Sequence, residues 1–223
     1  MDYQFRDIIT TVVAELHDGA LSVVRNTNHM VRVTVEDAPE NGMRLFVHNS
    51  TLFVKSLTNH PTDIQMYVPE TVKIVHIESK NSDVMLTELD LDQLHIGTAG
   101  DCSIHAVKAA KQTDICCEGG DIALQECDLR SMSIQLTNGS LEIWGTKLSG
   151  NNMIFATNSI LGGRLRGALV DYVISAGSGI NPDDVMVNGH LLSEFPERRN
   201  TQEAAWLLLA GQLNGETVLN VAK

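Results

Sequence analysis

Two histidines and an aspartate recur at a single interval: His76, His95 and Asp114 are nineteen residues apart, and the same column continues through Ser133, Asn152 and Asp171. Side chains stacked on neighbouring strands stand about 5 Å apart. At that distance His76, His95 and Asp114 would share a transition metal or form a pH-sensitive stack. A polar column is also what the solvated face of a period-2 strand leaves outward. The residues fix no further ligand, so the expectation is an outward binding ladder with no resident metal or other cofactor.

Three further acids, Asp83, Asp101 and Asp121, sit in short polar turns. Such a row suggests a calcium ladder or a carboxylate pair for glycoside hydrolysis. Aspartate at a turn more commonly accepts a hydrogen bond from nearby backbone, and the row passes to Ser140 and Ser159. The cysteines Cys102, Cys116, Cys117 and Cys127 lack C-x-x-C spacing. Adjacent Cys116 and Cys117 point to opposite sides of a strand, which makes at least one a core filler. No phosphate loop, nucleophile elbow or Ser-His-Asp order occurs, so no catalytic residue is assigned and the chain reads as a non-enzyme.

The elements that position these residues form a repeat. VHIESKNSDVML (75–86), LHIGTAGDCSIH (94–105), DICCEGGDIALQ (114–125), SIQLTNGSLEIW (133–144) and MIFATNSILGGR (153–164) share one plan, with a weaker copy at YVISAGSGINP (172–182). Each is an alternating apolar run, a short Gly/Asn/Asp/Ser turn and a second alternating run. Ile77, Ile96, Ile115, Ile134 and Met153 keep an interval of nineteen, as do Leu91, Ala110, Leu129 and Leu148, and a turn column holds Asn81, Gly100, Gly119 and Asn138. Period-2 alternation in short segments means strands. Stacked repeats of this length predict an all-β fold, a single-stranded right-handed parallel β-solenoid with coils of about 19–20 residues.

The expected domain spans 1–192, with clear coils over 74–182. The alternating runs of residues 1–70 supply N-terminal capping strands. A polar loop over 193–202 carries Arg198 and Arg199, read as a solvated loop with a docking segment as the sharper alternative. The terminal segment 203–223 is either a helix started by Asn200 with Glu203 at the capping-box position, or strands turning at Asn214-Gly215. Its apolar Trp206, Leu207, Leu208 and Leu209 are an interface candidate.

Composition narrows the function. With 16 Lys+Arg against 28 Asp+Glu, the net charge of −12 argues against nucleic acid and anionic membranes as partners. Only Trp 2, Tyr 3 and Phe 5 are aromatic, so Ile, Val, Leu and Met must fill the core, and ring-lined sugar platforms are scarce. No secretory signal or transmembrane run is evident and the cysteines suit a reducing compartment, so a cytoplasmic location is expected, with the cell surface only after removal of an export signal.

The stretch IQMYVPETVKIVHIESKNSDVMLTEL, the GGD turn in CCEGGDIAL and LTNGSLEI resemble the bacterial putative-adhesin family of β-strand-repeat domains of unknown function. The resemblance covers roughly residues 30–180. The turns SKNSD and TAGDC and the long tail after Pro182 depart from the family pattern. It implies a right-handed β-helix without agreed catalytic residues. The resulting expectation is a structural or interaction module that binds a protein partner or a second copy as a homodimer. A carbohydrate-binding or carbohydrate-active β-helix, or an accessory protein sensing envelope stress or a ligand, are the alternatives.

Overall fold

The structure is a computed structural model that describes residues 1–195 and 204–222. Strands dominate, and the described helical pieces are three short 3-10 turns at Leu169–Asp171, Pro182–Asp184 and Leu192–Glu194. The alternation read from the sequence is the cause. In Met132–Thr137, buried Met132, Ile134 and Leu136 alternate with more exposed Ser133, Gln135 and Thr137, which puts one side of the strand on the core.

Parallel pairing joins the repeats in close to the expected register. Ile77 lies opposite Ile96, Ile96 opposite Ile115, and Ile115 opposite Ile134. After the turn, Cys102 and Ile104 stand opposite Ile122 and Leu124, which stand opposite Leu141 and Ile143. All of these side chains are buried in one aliphatic core. Each fully buried aliphatic side chain contributes about 1.5–3 kcal/mol, so the ladders hold the sheet together without aromatic residues.

The interval of nineteen is kept on average and broken locally. Ile134 pairs with Ile154 rather than Met153, and Ser133 pairs with Met153. A bulge between Ala109 and Gln112 places Ala109, not Ala110, between Leu91 and Leu129. In both places the turn or bulge absorbs one residue, and a one-residue shift carries a side chain to the opposite face.

The turn column behaves similarly. Gly119 and Asn138 adopt the left-handed backbone, whereas Asn81 and Gly100 do not. Gly100 is required for a different reason: a Cβ there would lie 2.6 Å from the carbonyl oxygen of Ser82.

The solenoid expectation requires correction. The strands form one continuous sheet, a closed parallel barrel with extra strands outside it, and not an open right-handed β-solenoid wound once from end to end. Chain order is not stacking order at either end. Thr11–Arg25 lies between Thr51–Ser56 and Thr62–Val68 on one side and Ile74–Thr87 on the other. Ala205–Leu213 and Thr217–Ala222 lie between Asn151–Arg166 and the strands Tyr172–Ala176 and Val185–Val187. The weaker copy at 172–182 therefore does not stack on its predecessor; the terminal strands intervene.

Antiparallel strands complete the outside. Val31–Glu36 pairs with Thr62–Val68, Asp2–Phe5 with Val31–Glu36, and Met43–His48 with Thr51–Ser56. These cover edges that would otherwise recruit another chain.

Candidate functional site

The histidine column is real, and its third member differs from the expected one. His76 and His95 are directly opposite on parallel strands, with rings stacked at 4.4 Å between centroids and 13° between planes. Asp114 stands opposite His95, but its carboxylate accepts a hydrogen bond from the Gln112 amide at 2.6 Å. Glu78, two residues beyond His76 on the same face, reaches the pair instead. Its Oε1 lies 2.8 Å from His95 Nε2 and 3.5 Å from His76 Nε2.

Glu78 can lean over because its neighbour in register is Gly97. A Cβ at Gly97 would fall 2.4 Å from Glu78 Oε2. Partial burial, and then the positive charge of His95, lower the pKa of His76 from its ordinary value, against the opposing pull of Glu78 and Glu15. Sequence reasoning passed over Glu78 as a ligand because it followed a single column at one interval, and Glu78 lies two residues off that column. The usable signal was the i, i+2 spacing of His76 and Glu78, which shares a strand face.

Beyond Ser133 the column changes character. Asn152 is turned inward and is buried, with only 3% exposed. Its Oδ1 accepts from the Met132 N–H, and its Nδ2 donates to the carbonyls of Ser149, Gly150 and Trp206. It stitches the terminal strand to the repeats and offers nothing to a ligand. Asp171 leaves the column altogether, closing a 3-10 turn by accepting from the Ala168 N–H at 2.8 Å.

The outward positions that follow Ser133 are Met153 and Leu208, opposite each other, with Phe155 beside Ala210. Met153, Phe155 and Leu208 are 39%, 44% and 36% exposed. Of the four residues expected at an interface, Leu207 and Leu209 are instead core, Trp206 is half-buried, and Leu208 alone faces solvent. The terminal segment is strand rather than helix. Its two strands pair with Asn151–Arg166 and not with each other. Arg198, Arg199, Asn200 and Glu203 lie outside the described residues.

The turn acids are joined to backbone, one repeat to the next. Asp83 Oδ1 accepts from the Asp101 N–H at 2.9 Å, Asp101 Oδ1 from the Asp121 N–H at 2.9 Å, and Asp121 Oδ1 from the Ser140 N–H at 2.7 Å. The turn role is right, but the partner is the next repeat rather than the same turn. Cys102, Cys117 and Cys127 are buried free thiols, and burial raises the pKa of each. A high pKa keeps them protonated and poorly nucleophilic.

A groove of about 660 Å³ lies across Gly162 and Gly163, lined among others by Trp144, Glu142, Ile160, Arg164 and Asn220. Trp144 is 52% exposed, and its indole N–H donates to Glu142 Oε1 at 2.6 Å.

The family profile described as Toastrack DUF4097 matches residues 9–189. The chain belongs to this family. No curated protein matches it. Among solved structures, the Toastrack chain is similar to a putative adhesin from Bacteroides fragilis, at 13% identity and a TM-score of 0.44, covering 99% of this chain and 96% of that one. A putative adhesin from Parabacteroides distasonis matches at 11% identity and a TM-score of 0.41, again covering 99% and 96%. The resemblance read from the repeats is thus to the right family, one of unknown function. Among the described residues of this Toastrack chain, no helix is long and apolar enough to cross a membrane.

Proposed function

We propose that this Toastrack chain is a non-enzymatic interaction module that associates through the outward face of Asn151–Arg166 and Ala205–Leu213, with a second copy of itself as the partner. The observation that carries this reading is the exposed strip of Met153, Phe155 and Leu208. It is flanked in register by Ser133, Gln135 and Ala210, none of them charged. On a chain of net charge −12, an uncharged apolar strip is the place where two copies can meet without bringing acids together. A twofold axis sets the same patch of each copy against the other, and two sheets pack face to face at about 10 Å.

Sedimentation velocity across a hundredfold range of concentration tests this. The wild type shifts toward dimer as concentration rises, and the double variant Phe155→Asp, Leu208→Asp stays monomeric. A wild type that remains strictly monomeric at the highest concentration would overturn the reading.

The exposed Trp144 above the glycine floor favours a second reading, carbohydrate binding. An aromatic face against sugar C–H groups is the relevant contact. Titration of a glycan panel by calorimetry, in the wild type and in Trp144→Ala, checks it: saturable binding that weakens in Trp144→Ala supports it, and no binding of any glycan removes it.

A further inference from the structure

We propose that His76, Glu78 and His95 form a binding site for a first-row divalent transition-metal ion of the zinc type. One donor atom from each of the three lies within 4.8 Å of the others. Tetrahedral zinc, with Zn–N and Zn–O bonds of about 2.0–2.2 Å, holds its donors about 3.3 Å apart. The separations of 2.8 and 3.5 Å from Glu78 Oε1 bracket that value, and the two near-parallel imidazoles, 4.4 Å apart between centroids, must tilt toward each other for both ring nitrogens to reach one ion. The stacked imidazoles bring both Nε2 atoms to the same carboxylate oxygen. Two imidazoles and one carboxylate suit zinc, copper or nickel better than calcium or magnesium, which prefer all-oxygen shells.

The surroundings favour a cation. Glu15 stands opposite Glu78 in register and adds negative charge, though it is also paired with Lys55. Gly97 removes the side chain that would displace the carboxylate. All three residues are on outward positions of strands whose inward positions are core, so the ligands are held by rigid elements and the fourth position faces solvent.

The test uses the full chain, stripped with a chelator and exchanged into metal-free buffer, titrated with zinc chloride by calorimetry and with cobalt(II) by visible absorption. One equivalent binds, and cobalt develops the d–d bands of a low-coordinate site. Glu78→Gln and His95→Asn each weaken binding at least about tenfold. Gly97→Val, which keeps every ligand and crowds Glu78, weakens it by about tenfold as well. Circular dichroism confirms that each variant keeps its sheet. Binding no stronger in the wild type than in a His76→Asn, His95→Asn double variant, or affinity unchanged by Glu78→Gln and Gly97→Val, would overturn the proposal.

Discussion

One outward column carries two different chemistries at its two ends. Around His76 and His95 it is polar, titratable and gathered on a carboxylate; around Met153 and Leu208 it is apolar and uncharged. Behind both stretches lies the same aliphatic core, with Ile96 under one and Ile154 under the other. The inward residues decide that the strand exists and where it sits; the outward residues are released from that duty. The barrel can therefore change the chemistry it presents along its length without altering its fold.

Cutting the core beneath each end breaks the comparison most severely. Ile96→Ala and Ile154→Ala should each destabilise the chain by about 3 kcal/mol, the middle of the range for buried isoleucine truncation, read from urea unfolding. A large loss at one end with almost none at the other would show that the two ends do not share a core. Smaller is the effect of removing a turn acid. Asp121→Ala loses the bonds from the Ser140 N–H and hydroxyl and should cost about 1 kcal/mol, felt equally by both ends because the turns hold the register.

The smallest effect separates the ends by pH. His76 has a lowered pKa in the folded chain, so the unfolded chain takes up the proton first as pH falls. Its stabilising contribution is complete above the unfolded value of about 6.5 and declines as pH drops through that value toward the folded one. His76→Gln should flatten the decline of melting temperature between about pH 7 and 5, and Met153→Gln should leave it unchanged.

Much of this was legible in the residues. The columns Ile77, Ile96, Ile115 and Ile134 predict the central registers, because period-2 alternation records which side of a strand is buried. The slip that turns Asn152 inward was not legible. It depends on the corner before the strand, where two residues separate Arg130 from Ser133 but three separate their partners Ser149 and Met153. The insertion of Thr11–Arg25 and Ala205–Leu213 between strands distant in sequence was hidden for a related reason. Such pairing joins residues as far apart as Met153 and Leu208, and no fixed-interval search reaches them. Within the histidine site the two imidazoles were evident, while Glu78 was found only once its lean over Gly97 was visible.

Sedimentation velocity of the wild type beside the Phe155→Asp, Leu208→Asp double variant tests the central claim most directly. A concentration-dependent dimer that the double variant loses, with its melting temperature held within a few degrees, is the predicted result. A wild type that stays monomeric throughout, or a double variant that dimerises as well as the wild type, would contradict it.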